Sequence, residues 1–242
     1  MSNIIKGIYI TFFACFLSFG VKGQVLIENT DFDQLNLNPG GIIHDVAEAP
    51  NSDYYILVGD FNLIAGNPVN NIAFIDKSTL KFVHVSGTIY ESIDSVNGEI
   101  WSIETVYLIQ GFSTATSHII LGGNFETIGS GGNETIRKGI VEFTSTISLS
   151  FPPTPATDFA ISSWDAGLDV TEGFDEGIYD IHYFDSKLFI GGYFLNPSDF
   201  INGVNFSAYN FEDKTLLPNY DSGIAFWSDD KVNHIFDNGS AL

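Results

Sequence analysis

Cysteine is all but missing from this chain of 242 residues: Cys15 stands alone, inside the first apolar run. Beyond it there is neither a disulfide framework nor thiol chemistry. Cations are nearly as scarce. Nine Lys and Arg face 30 Asp and Glu, Arg137 is the only arginine, and the formal net charge is −21. Gripping a phosphate backbone takes clustered Lys and Arg, so nucleic acid is excluded as a partner. An anionic membrane surface repels such a chain for the same reason. No stretch after Gln24 keeps a helical apolar period. The one long apolar run, Gly7 to Val21, falls short of the ~20 residues a bilayer span needs.

That run has its own logic. In "MSNIIKGIYITFFACFLSFGVKGQ" one cation, Lys6, precedes the apolar stretch, and Val21 and Gly23 stand at the minus-three and minus-one places before Gln24. This is the pattern of a secretory signal peptide over residues 1–23, which is excluded from the fold. "TFFAC" lacks the leucine that lipid attachment to Cys15 would want. Cleavage removes Lys6 and Lys22 and no acid, leaving a secreted or cell-surface chain with no transmembrane span. Residues 24–41 read as a lead-in.

What remains is short runs of β-branched and aromatic residues bounded by Gly, Asn, Asp, Ser and Pro. With 22 Phe and 10 Tyr, this points to an all-β fold of many short strands. The runs repeat. "ILVGDFNLIAGNPVNNIAFID" from Ile56 returns as "IILGGNFETIGSGGNETIRKGIVEFT" from Ile119 and "LFIGGYFLNPSDFINGVNFSAYNF" from Leu188. Aligned on their Phe, these copies superpose Gly59, Gly123 and Gly192 and, two places on, Phe61, Phe125 and Phe194. Before each lies an apolar-x-x-apolar step: Ile43 to Val46, Ile100 to Ile103, Ile178 to Ile181, and again Val232 to Ile235. A third element follows each Gly-x-Phe loop ("NNIAFID", "KGIVEFT", "NFSAYNF"). A fourth appears as "LKFVHVSG" from Leu80, with "STISLSF" from Ser145 as its second copy. Four short strands in a repeat of roughly 55 to 75 residues is the pattern of β-propeller blades. The glycine permits positive φ or close approach of a neighbouring backbone. The Phe fills apolar space between sheets, with roughly 2–3 kcal/mol of burial each. Trp101, Trp164 and Trp227 are evenly spaced but fall in different phases of the repeat, so their spacing reads as coincidence.

These elements resemble the delta-60 repeat family, whose units run hydrophobic-Gly-Gly-Asp-Phe, then Gly, then Asn-x-Ile-Ala-hydrophobic-Asx. Gly59, Asp60, Phe61, Gly66, Asn71, Ile72 and Ala73 carry the likeness in the first copy. Gly122, Gly123, Phe125 and Ile140 carry it in the second, and Gly191, Gly192, Phe194 and Ala208 in the third. The resemblance implies a secreted or cell-surface β-propeller, frequent in large bacterial proteins and more distantly similar to kelch-type propellers. It implies no catalytic residues. Blades are expected at 42–98, 99–176 and 177–230, with a partial one at 231–242. Propellers close with roughly four to eight blades. Three and a fraction would expose strand edges and an apolar flank. A fragment of a longer chain is therefore expected, with closure by oligomerisation as the alternative.

The first strand of a propeller blade lines the central channel, which makes His44, Asp45, Asp180, His182 and His234 the candidate polar lining. Histidine with carboxylate suits a divalent metal, but these residues have no fixed ligand spacing, and no metal or other cofactor is implied. Asp165, Asp169, Glu172, Asp175 and Glu176 cluster in "WDAGLDVTEGFDEG" without calcium-loop spacing and read as a solvated acidic loop. No nucleophile elbow, His-Glu-x-x-His or phosphate loop occurs. Asn133, Asn205 and Asn238 open glycosylation sequons. The sequence points to a non-catalytic exported module that binds an extracellular protein or glycan, or serves as a scaffold. The rival is a propeller-fold carbohydrate-active enzyme with its site at the channel mouth or in a missing C-terminal region. Specificity would lie in the loop Asn62 to Asn70 and its counterparts, which differ in every copy.

Overall fold

A computed structural model describes residues 35–37, 40–50, 52–83, 95–96, 98–110, 114–130, 133–148, 159–168, 170, 176–195, 204–217 and 235. The signal-peptide reading and His234 lie outside them. All described elements belong to one unit, Gln34–Leu242. They are strands, with no helix longer than a single turn, and they form several antiparallel sheets, none of which closes on itself.

The first sheet has β1 (Ile42–Glu48), β2 (Tyr54–Asp60), β5 (Ile72–Asp76) and β6 (Phe82–Val83), in chain order. Between its second and third strands the chain makes a small hairpin, β3 (Leu63–Ile64) with β4 (Asn67–Pro68). The second sheet repeats this order with longer strands: β8 (Ile100–Gln110), β9 (Thr114–Gly123), β12 (Ile140–Ser148) and β13 (Ala160–Ile161). Its corresponding hairpin, β10 (Thr127–Ser130) with β11 (Asn133–Ile136), also pairs with β7 (Ser95–Val96). The third sheet has β14 (Gly177–Phe184), β15 (Lys187–Leu195) and β16 (Val204–Asn210), with a single bridge from Tyr209 to Leu216 where a fourth strand would run. Ser145–Ser148 belongs to the third strand of the second sheet, not the fourth. There the strands outrun the motif, and the fourth pairing falls to Ala160 and Ile161.

Two apolar cores separate the sheets, and the central strands serve both, which is why they read as near-continuous hydrophobic runs. Ile119 and Leu121 of β9 join Ile56, Val58, Ile72 and Phe74 of the first sheet, while Ile120 points the other way, to Ile178, Ile181, Leu188 and Ile190 of the third. Phe125 fills the first core and Phe194 the second; Phe61 is fully buried but belongs to neither. The first sheet is buried on its other face as well, at Leu57, Ala73 and Ile75, and Leu35, itself buried, accepts the Ala65 N–H through its carbonyl. Among the described residues Ile42, Ile109 and Ile136 are the exposed large hydrophobics, and Ile42 lies at the start of β1 in the first sheet.

The step of three between apolar residues finds its explanation in the ladders. Side chains alternate along a strand, so residues three apart face opposite ways unless one extra residue is inserted. The register breaks between Ile43 and Asp45, between Ile100 and Ser102, and between Ile178 and Asp180. His44, Trp101 and Tyr179 are the inserted residues. Ile100 and Ile103 thereby both enter the first core, and Ile178 and Ile181 both enter the second.

The motif glycines face these bulges: Gly59 pairs with Ile43, Gly123 with Ile100 and Gly192 with Ile178. A Cβ on them would lie 2.0 Å from the Ile42 carbonyl oxygen, 2.0 Å from that of Glu99 and 2.1 Å from that of Gly177. None of the three has positive φ, so the requirement is close approach of backbone alone. Positive φ falls at the start of each third strand: Asn71 (63°) and Gly139 (69°) immediately precede it, and Asn205 (64°) is its second residue. Asn71 Oδ1 accepts the Phe61 N–H at 2.8 Å and Asn205 Oδ1 that of Phe194 at 3.1 Å, fastening each Phe to the strand that follows its loop.

Gly123→Ala is expected to lower stability by about 3 kcal/mol or more, because two backbone segments would have to separate. Gly66 has φ +80° but nothing within 4 Å of a built Cβ, so Gly66→Ala should cost only about 1 kcal/mol. Urea unfolding of the two variants checks the contrast.

Candidate functional site

Reversing the alternation at the bulge also aims the residue that follows it. Asp45 turns toward the second sheet, where its Oδ2 accepts the Ile103 N–H at 2.9 Å while Oδ1 accepts the N–H of its own neighbour Val46 at 2.7 Å. Asp180, at the same place in the third sheet, accepts the Ile235 N–H through Oδ2. Ile103 and Ile235 both close an apolar-x-x-apolar step, so one carboxylate in each of these sheets bonds the last residue of the next such step along the chain. In the second sheet the place is taken by Ser102, whose buried hydroxyl has no hydrogen-bond partner. Glu104, two residues on, reaches across instead and accepts the Tyr183 N–H at 3.2 Å, with His182 Nδ1 3.7 Å from the same carboxylate oxygen.

Of the polar residues anticipated on the first strands, Asp45 and Asp180 thus bond between repeats and His182 sits beside Glu104. His44 lies on the accessible side with its Nε2 3.5 Å from Glu99 Oε2. The four are not brought together. Among the described residues no group of three or more His, Cys, Asp or Glu is arranged to hold a metal ion.

Two groupings escaped the sequence. One is a row along the bulges. Glu99 Oε2 accepts the Trp101 indole N–H at 2.7 Å, and the Trp101 and Tyr179 rings lie 4.9 Å apart with planes tilted by 33°. Both rings are half-buried. The second position of the three-residue step was the available signal, since the inserted residue of a bulge projects out of the ladder.

The other is a buried polar cluster between the second and third sheets. Glu142, 1 % exposed, accepts from His118 Nδ1 at 2.9 Å and from Lys214 Nζ at 2.6 Å on one oxygen, Oε1. The Lys214 ammonium lies 3.7 Å from the centre of the Phe211 ring and 5.0 Å from that of Trp164, a cation–π arrangement on the turn that ends the third sheet. Burial raises the Glu142 pKa, but the bonds from His118 and Lys214 and the Lys214 charge outweigh it and hold the carboxyl below its ordinary value. For Lys214 burial is the larger effect and lowers its pKa, with the Glu142 bond and charge opposing. Burial thus opposes charge on both partners: two converging donors overcome it at Glu142, while the single carboxylate does not overcome it at Lys214. His118 Nε2 is buried with no hydrogen-bond partner. Nothing in the sequence signalled this cluster: His118 and Lys214 stand 24 and 72 residues from Glu142, and Lys214 belongs to a separate repeat.

Asp45→Ala should speed hydrogen exchange at the Val46 and Ile103 amides by roughly tenfold or more, leaving the β15 amides unchanged. Mass-resolved or NMR-detected exchange reads this directly. For Glu142 the linkage is that of a carboxylate with depressed folded pKa: its contribution is complete above the unfolded value and is lost as pH falls through the folded one. Glu142→Gln should therefore cost roughly 2 kcal/mol near neutral pH, and its gap from the parent chain should narrow below about pH 4.5 in thermal unfolding series.

Compared with protein-family models, curated proteins and solved structures, the chain finds no match in any of the three.

Proposed function

We propose that the chain is an exported β-propeller repeat protein of the delta-60 type, acting at the cell surface or outside the cell as a binding or scaffold module. One observation carries this reading: the same unit recurs in three consecutive sheets. Bulge, facing glycine and buried Phe keep their places each time, and a carboxylate from each sheet bonds the sheet or segment that follows. Such a unit buries its faces only against neighbours, so it multiplies along a chain and builds a large, rigid surface. Ile235 is held by Asp180 as Ile103 is by Asp45, which supports a fourth blade starting at the last apolar-x-x-apolar step. Phe189 and Phe206, stacked at 6.2 Å on the third sheet, lie on the face that such a blade would cover. The low cation content suits a soluble extracellular surface.

Expression of the whole chain in a Gram-negative host, followed by fractionation and N-terminal sequencing, tests export. A mature product beginning at Gln24 outside the inner membrane is expected. A cytoplasmic product that retains residues 1–23 would end the exported reading.

A further inference from the structure

We propose that Trp101, Tyr179, Glu99 and His44 form a ledge that binds a neutral saccharide. This names a ligand class for the binding-module reading above and rests on it. Three features of the row point this way. First, Trp101 and Tyr179 are both bulge residues, so the ladders themselves bring their rings into contact from adjacent sheets, each still partly exposed. The indole lies against backbone: a Cβ on Gly177 would come within 2.6 Å of its Cζ3. Second, the ring is fixed before any ligand arrives. Its N–H is held by Glu99, and the Glu99 backbone is held in turn by Asn124, which accepts its N–H at 2.6 Å and donates to its carbonyl at 3.2 Å. A preordered aromatic plane loses little conformational entropy on binding. Third, polar groups flank the rings. The Glu99 side chain is 40 % exposed, and His44 Nε2 stands 3.5 Å from its Oε2.

The chemistry of the row selects among ligands. With centroids 4.9 Å apart and planes tilted by 33°, the two rings pack on one another, so no cage opens between them for a quaternary ammonium group. A ligand with a flat, CH-lined face would stack on the outside of the pair. A pyranose ring offers such a face together with hydroxyls that donate to a carboxylate and to an imidazole nitrogen. Anionic polymers are disfavoured, since Glu99 sits in the row and the whole chain carries −21.

Native electrophoresis of the full chain through gels containing a mixed-linkage β-glucan, a galactomannan or a soluble α-glucan tests this, with polygalacturonate and free choline as controls. Retardation in at least one neutral gel is expected. It should weaken by about tenfold or more in Trp101→Ala and Tyr179→Ala, and measurably in Glu99→Gln. Circular dichroism melts report folding. If Trp101→Ala unfolds, Tyr179→Ala and Glu99→Gln decide instead. Unchanged mobility in every neutral gel overturns the proposal. So does equal retardation of parent and folded variants, retardation by polygalacturonate alone, or release of the chain by choline. Shortening of the retarding polymer during the run would instead mark an enzyme, ending the module reading while leaving the ledge in place.

Discussion

A strand that must place apolar residues three apart on one face needs an inserted residue, and that one constraint organises each repeat of this protein. The bulge draws the first strand's carbonyl so near the second strand that only a residue without a Cβ fits opposite it. It sends the inserted side chain out toward the surface, and it turns the next residue toward the following sheet. Glycine in Gly-x-Phe, the aromatic row of Trp101 and Tyr179, and the carboxylate bonds of Asp45 and Asp180 are all consequences of the same insertion.

The sheets are joined by what the bulge exposes. Each core is shared, so no sheet buries both faces without neighbours, and polar contacts fix how neighbours sit. Asp45 serves the first junction. At the second, Ser102 leaves that place without a carboxylate, and the work is divided between Glu104 and the more distant Glu142, which ties β12 to the turn after β16 through Lys214. A buried carboxylate with two converging donors is costly to break, because either donor's loss leaves charge without a partner in a medium of low polarity. The second junction therefore depends on protonation state more than the first. The same substitution of one clasp by another shows that position along the first strand is less constrained than the need to reach the next repeat's backbone.

Much of this was legible in the residues. Gly59, Gly123 and Gly192, with the Phe two places after each, mark the end of every second strand, and their physical roles follow from strand geometry alone. The apolar-x-x-apolar steps were visible as spacing, yet a spacing of three is not a strand period. Taken as a signal for a bulge, it would have singled out His44, Trp101 and Tyr179 in advance. The even spacing of Trp101 with Trp164 and Trp227 is a coincidence that carries no information about its place in the bulge. The fourth strand of the second sheet was misplaced at Ser145 because the longer strands there continue past the motif with equally β-prone residues. The Glu142 cluster was beyond reach, since Lys214 reaches it from a separate repeat and nothing local ties the three residues. Asn205, a sequon residue in the sequence, is 1 % exposed and bonded to Phe194, a structural role that the sequon pattern hides.

The coupling of bulge to glycine is the central claim, and a double-mutant cycle reaches it most directly. Deleting His44 leaves Ile43, Asp45 and Val46 in plain alternation, so the strand keeps its faces but loses the insertion opposite Gly59. Unfolding free energies of the parent, the deletion, Gly59→Ala and their combination would be compared. Gly59→Ala should cost about 3 kcal/mol or more in the parent and less than about 1 kcal/mol in the deletion background, a coupling of roughly 2 kcal/mol. Costs that simply add would contradict the claim that the bulge is what forbids a side chain at Gly59.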